Sequence, residues 1–348
     1  MEESLERELG EILSAITIVS PAVFRFKGED VQVKPDHLTA MPGFPGHPLP
    51  SNPLIRDLQS ILYARCYSHP FRADSSQLTQ SAITPDQTFI QQLSRHNHSV
   101  FRWEGGWTIY AITSGSQVSL IKGDRQRTAV PGEFVTTGVP GLPPQVGSVV
   151  SVQVARESPA AQPGFYFVYG STLSDMWDDY ARLRFYFHSS STIAPALVEY
   201  LSLQLNRYRV PFQLKTLNDP AMYSRTDAVV LYVAKRYYEL CVRIAQRLPH
   251  PLLSGLRAQT PLFTRRILPG VGIAEEPNTG ESFGMNRCRL TAEGIVDAWM
   301  TGDQTLAGRF EAVSKRFQLN GCNLQTPHLC PTSIELPEVP EEVDFAYA

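Results

Sequence analysis

Residues 182–191 read RLRFYFHSSS. In a β-strand, successive side chains point to opposite faces. Leu183, Phe185 and Phe187 then form an ordinary buried surface, while Arg182, Arg184, Tyr186 and His188 line the other face. A face carrying four groups able to hydrogen-bond or hold charge is either solvated or the floor of an anion site. The choice between these depends on the segments around it.

On the C-terminal side, STIAPALVEYLSLQLNRY places Leu197, Leu201, Leu205 and Tyr208 on one helical stripe. VPFQLKTL follows as a strand, and DAVVLYVAK is so uniformly apolar that it reads as a strand buried on both faces. YYELCVRIAQRL is helical, MNRCRL is strand-like, and TAEGIVDAWM and LAGRFEAVSKRFQL are closing helices. On the N-terminal side, WTIYAIT, QVSLIKGD, GEFVTT, SVVSVQVAR and GFYFVYGS are short strands punctuated by Gly and Pro. Earlier still, ESLERELGEILSAI, NPLIRDLQSILYARCY and TPDQTFIQQLSRH have helical apolar spacing, and the Pro-rich MPGFPGHPLPSNP separates the first two. Strands and helices interleave without strict βαβ alternation. The expected fold is therefore α+β, a mixed or antiparallel sheet core flanked by helices with a mainly helical N-terminal region. The expected divisions are residues 1–105, 106–325 and a loose acidic tail, 326–348.

The 348 residues are 43% hydrophobic and 19% charged, a globular composition. No apolar run approaches a membrane span, and the acidic start lacks the basic region of a signal peptide, so a cytoplasmic protein with no membrane partner is expected. Export from the cell is compatible with the same sequence. The five cysteines (66, 241, 288, 322 and 330) form no CxxC pair and imply free thiols rather than a metal site. The net charge of −3 conceals a basic segment: residues 182–289 hold 15 Lys+Arg against 7 Asp+Glu, whereas the rest holds 16 against 27. A basic segment in an acidic chain points to an anionic ligand rather than to nucleic acid.

PGVGIAEEPNTGESFG is not a phosphate loop, because it lacks the G-x-x-x-x-G-K-[ST] spacing. The two histidines of RHNH have no third ligand in view, and no G-x-S-x-G elbow supports a hydrolase triad. Lys215 shares a strand face with Gln213, and a buried ammonium must be paired or change its pKa. Tyr223 and Arg225 stand just before the apolar strand. Arg287 and Arg289 lie on one face of a strand-like segment near Glu281 and Ser282. Guanidiniums converging from separate segments are what phosphate recognition requires, since each fork grips two oxygens.

RFYFH, VPFQLKTLNDPAMYSRTDAVVLYV and GESFGMNRCR together resemble the signature segments of the HopA-type effector family, over about residues 165–317. More distantly, the strand–Lys–Arg–strand layout is similar to the phosphothreonine lyases, which remove phosphate from phospho-Ser or phospho-Thr by β-elimination. Relatives beside peptide-modifying kinases are implicated in forming dehydroalanine and dehydrobutyrine in lanthipeptide maturation. The resemblance implies a precursor peptide phosphorylated by a separate Ser/Thr kinase as substrate, and no cofactor or metal. It implies phosphate-site roles for Lys215, Arg225 and Arg287; by their placement, Arg184, Arg289 and Tyr223 are expected to add to the phosphate site and Arg182, Glu281 and Ser282 to the substrate site. Those lyases carry a Lys-x-His pair where this chain has Arg184-Phe185-Tyr186, and arginine is a poor base. Two readings stay open. Either Lys215 is the base with Tyr186 or His188 as acid, or the same basic cleft binds phosphorylated or acidic partners without cleaving them.

Overall fold

The computed structural model describes residues 3–34, 50–73, 84–113, 116–123, 125–137, 143–175, 178, 181–277, 279–331, 333 and 336–338. Helix α1 (Glu3–Ser14) leads into strands β1 (Ile16–Ser20), β2 (Val23–Phe26) and β3 (Glu29–Gln32). Helix α2 (Pro53–Leu62) runs directly into a π-turn at Tyr63–Tyr67, and α3 (Gln87–Arg95) follows. Strands β4 (Arg102–Ile112), β5 (Val118–Lys122), β6 (Arg125–Ala129), β7 (Phe134–Thr136) and β8 (Val149–Val154) make a five-stranded antiparallel sheet. The main sheet begins with β9 (Glu157–Gln162), β10 (Phe165–Tyr169) and β11 (Arg182–Phe187). Then come α4 (Ala194–Arg207), β12 (Phe212–Leu217), β13 (Val229–Ala234), α5 (Tyr238–Gln246), α6 (His250–Ser254), β14 (Arg265–Leu268) and β15 (Val271–Glu275). Helices α7 (Phe283–Met300) and α8 (Leu306–Leu319) close the chain.

Seven strands form one antiparallel sheet in the order β14-β15-β11-β13-β12-β10-β9, so the RLRFYF strand lies in its interior and the fold is α+β. Leu183, Phe185 and Phe187 join Leu197, Leu201 and Leu205 of α4 and Cys241, Val242 and Ala245 of α5 in one core. Tyr186, Val230 and Ala274, on the opposite face, join a second core with residues of α1, α2, α7 and α8. The polar face of β11 is therefore not solvated. Arg184 is 8% exposed and Tyr186 and His188 1% each, because a second helical layer lies over that face.

The N-terminal region carries its three helices and adds the β1–β2–β3 meander between the first two. Ile16, Ile18, Phe24 and Phe26 alternate into the second core. Lys27 (φ 51°) and Gly28 (φ 85°) form a two-residue hairpin loop, with both residues in the left-handed region that such loops demand. MNRCRL is not a strand: it belongs to the continuous helix α7. Ser282 starts that helix by accepting the Met285 N–H at 3.4 Å, and no β-branched residue interrupts Phe283–Leu290.

The tail expected to be loose from residue 326 is pinned at first. Arg287 donates to the carbonyls of Pro327 and Leu329, each at 2.7 Å, and Tyr238 donates to that of Pro337 at 3.0 Å. Among the described residues no helix is long and apolar enough to cross a membrane.

Candidate functional site

Register places the candidate side chains. Tyr186 lies opposite Val230, and Val230 lies opposite Lys215. Directly opposed residues of an antiparallel sheet share a face, so Tyr186 and Lys215 are two strands, or ~10 Å, apart on one surface. One step along, Arg184, Tyr232 and Gln213 form the next row. Lys215 is 9% exposed, and its Nζ sits 4.0 Å from the centroid of the Phe165 ring. Its one hydrogen bond among the described residues is a long one, 3.4 Å to Gln162 Oε1. No described carboxylate comes within ion-pair distance of it.

Arg225 reaches the same ring from the turn before β13, its Cζ 5.9 Å from the Phe165 centroid. The two cations thus meet at one aromatic ring. Asp227 holds Arg225 in a bidentate grip, with Nε to Oδ1 and Nη2 to Oδ2 both at 2.8 Å. Nη2 also donates to the Tyr63 hydroxyl at 3.3 Å, which leaves Nη1 without a partner among the described residues. Burial alone would raise the Asp227 pKa, but Arg225, Lys215 and His69 outweigh it and hold the carboxyl below its ordinary range.

His69 completes the nook. Its Nδ1 lies 2.9 Å from the Ala64 carbonyl, which can only accept, so Nδ1 carries the hydrogen. Nε2 is 3.3 Å from Ser224 Oγ, which then donates to it. Burial lowers the His69 pKa. The π-turn is what delivers these groups: it stacks Tyr63 on Tyr67 (centroids 5.3 Å apart, planes at 20°) and ends just before His69. Insertions of this kind concentrate at functional sites.

Most of the other expected residues are committed elsewhere. Arg184 forms an ion pair with Glu276 and stacks on Tyr232 at 5.0 Å. Arg287 and Arg289 do not share a face, because two residues along a helix are about 200° apart. Arg287 is 1% exposed, spends its fork on the Pro327 and Leu329 carbonyls and on Asn286, and packs on Phe283 and Phe317. Arg289 pairs with Glu281 and Glu293. Glu281 serves that pair and Asn286, and Ser282 serves as the helix cap. Tyr223 points into the first core, where its hydroxyl meets Thr216 at 2.7 Å and donates to the Leu217 carbonyl at 2.9 Å. Arg182 lies farther along the face, over Tyr232 at 5.3 Å.

Tyr186 and His188 stay close to the nook but under cover. The Tyr186 hydroxyl and His188 Nε2 are buried without a hydrogen-bond partner, as is the hydroxyl of Tyr67. Tyr186 meets Tyr67 edge-on at 6.3 Å, and burial raises its pKa. His188 is held neutral: burial brings its pKa down to about 4, so near neutral pH its Nε2 carries no proton to donate and can act only as a hydrogen-bond acceptor.

Asp227, Tyr63 and His69 were missed in the sequence. The Arg-x-Asp spacing of SRTDAVV is a local signal for the Arg225–Asp227 pair. Nothing local ties SILYARCYSHP to a loop more than 150 positions later.

No curated protein sequence matches the chain. Among solved structures, the effector protein from Pseudomonas syringae pv. tomato strain DC3000 aligns at a TM-score of 0.45 and 17% identity, over 83% of this chain and 93% of that one. The effector protein from Pseudomonas syringae pv. syringae strain 61 aligns at 0.43 and 13%, over 78% and 88%. The model of the HopA1 effector protein family matches residues 156–329, half of the chain, from the edge of the seven-stranded sheet through Lys215, Arg225 and Asp227 to the strap pinned by Arg287. This chain belongs to the HopA1 effector protein family.

Proposed function

We propose that the nook around Lys215 is the site of a phosphoserine/phosphothreonine lyase that acts on a peptide phosphorylated by a separate kinase. The observation that carries this reading is the state of two cations. Lys215 is buried beside an aromatic ring with no described carboxylate within ion-pair distance, and Arg225 is clamped by Asp227 with Nη1 left over among the described residues. A purely structural lysine at such burial would be paired. In β-elimination, Lys215 in its amine form takes the α-proton, and the released pair forms the Cα=Cβ bond. The Cβ–O bond breaks towards phosphate, and the leaving oxygen takes up the proton that Lys215 has just accepted. Arg225 meets the phosphate charge, and Asp227 with Tyr63 keeps the guanidinium aimed.

The test is mass spectrometry of a phosphoseryl peptide incubated with the protein. Loss of phosphoric acid with formation of dehydroalanine is expected, and Lys215→Ala should abolish it while binding persists. Equal turnover by wild type and Lys215→Ala removes Lys215 from the role of base. The second reading, a module that binds phosphorylated partners, is favoured by the internal pairing of Arg184 with Glu276. It would be established by tight binding of a peptide that remains intact.

A further inference from the structure

Farther along the same sheet face lies a pocket of about 280 Å³ at the seam between the two larger sheets. Arg102 and Arg125 line it from the five-stranded sheet, Arg182 lines it from β11, and Thr172, Ser174 and Asp178 line it from the connecting segment. Two of the charges facing it are already spent: Arg125 donates to Glu104 at 2.9 and 3.3 Å, and Asp178 pairs with Arg236 at 2.9 Å. Arg102 and Arg182 differ. Neither has a described carboxylate within ion-pair distance.

Both guanidiniums are nonetheless held in place. Arg102 donates through Nη1 to the Gly170 carbonyl at 2.5 Å, and its Nε is buried without a partner. Gly170 is itself required there, since a Cβ would sit 2.7 Å from the Phe212 ring and 3.0 Å from its backbone nitrogen. Arg182 lies over Tyr232 and donates to Gln213 Oε1 at 3.3 Å. Two guanidiniums with no described carboxylate at ion-pair distance, fixed at one concavity that Thr172 and Ser174 also line, have the chemistry of an oxyanion site.

The pocket also has a fixed relation to the nook. Gln213 and Pro211, which line it, lie two and four residues before Lys215, or ~7 and ~13 Å along an extended strand. A peptide laid across this face advances ~3.3–3.6 Å per residue. We propose that the pocket holds the oxyanion of a second acidic side chain of the peptide, two to four positions from the phosphorylated residue at Lys215. This rests on the reading of Lys215 as the phosphopeptide site and specifies its substrate: a phosphoseryl peptide with a nearby negative charge, carboxylate or phosphate.

The experiment measures equilibrium binding, by fluorescence anisotropy, of labelled phosphoseryl peptides that carry Glu, Gln or a second phosphoserine at each of those positions. The proteins are wild type, Arg182→Gln and the charge-conserving Arg182→Lys. At one position, wild type should prefer Glu over Gln by about tenfold, the scale of one charge-assisted hydrogen bond. Arg182→Gln should reduce that ratio to under about twofold, and Arg182→Lys should recover part of it. Comparing Glu with phosphoserine then identifies which oxyanion is taken.

Equal affinity for the Glu and Gln peptides on wild type overturns the proposal, as does a ratio unchanged in Arg182→Gln or an absence of measurable binding by any peptide. Binding needs no turnover, so the two readings fail separately. Acid preference without dehydroalanine keeps the pocket and removes the lyase. Dehydroalanine without acid preference does the reverse.

Discussion

His188 closes β11 with its ring under the second helical layer, and lowering the pH tests what that burial means. Nδ1 lies 3.0 Å from the Gln259 carbonyl, Nε2 has no partner, and burial together with nearby Arg257 brings the pKa from its ordinary 6.5 down to about 4. Between those two values the unfolded chain binds a proton that the folded one refuses. The contribution to stability is therefore complete above about pH 6.5 and is lost as the pH falls towards 4. Linkage with these two values removes about 2 kcal/mol between pH 7 and pH 5. His328, whose pKa burial also lowers to about 4, should add a similar amount. These two histidines would therefore contribute about 4 kcal/mol to the loss seen by urea denaturation between the two pH values. His188→Asn keeps a donor for the Gln259 carbonyl but cannot titrate, and its loss should be smaller than that of the wild type by about 2 kcal/mol. An identical pH dependence in wild type and His188→Asn would refute the argument. It would mean that water reaches Nε2 and that the ring can supply a proton near neutral pH.

Two further substitutions test the layer that covers the site. Glu276→Gln leaves Arg184 buried with no counter-charge and should cost about 3 kcal/mol in chemical denaturation, the low end for a broken buried pair because the Glu276 side chain is still 21% exposed. A cost below about 0.5 kcal/mol would show that Arg184 escapes to water. Gly284→Ala would place a Cβ 2.4 Å from the Tyr67 ring and should destabilise the protein by about 1–3 kcal/mol despite the better helix propensity of alanine. A stabilised variant would mean that Tyr67 is free to move aside and that the π-turn does not hold it.

The sequence alone determined the elements whose periodicity is strong and local. Leu183, Phe185 and Phe187 alternate, Leu197, Leu201 and Leu205 recur at helical spacing, and both patterns form the first core. The α+β class followed from their order. The sequence also singled out Lys215 and Arg225, which the fold does bring together over Phe165. It misread MNRCRL, because six residues do not distinguish a strand from one face of a helix that continues for ten more. Tertiary structure alone decided which cations are available. Composition counts Arg184, Arg225, Arg287 and Arg289 as equal positive charges, but a charge can act on a ligand only as far as its neighbours leave it unpaired. Glu276, Glu281 and the Pro327 and Leu329 carbonyls are brought to those arginines by contacts the linear chain does not show, whereas Asp227 beside Arg225 and Glu293 four residues after Arg289 are local partners. The same long-range packing sets Tyr63 and His69 beside Arg225 and Ser224, and among the described residues it leaves Lys215, Arg102 and Arg182 with no carboxylate at ion-pair distance. Hydrophobic spacing is a property of neighbours in sequence, whereas electrostatic pairing is a property of neighbours in space.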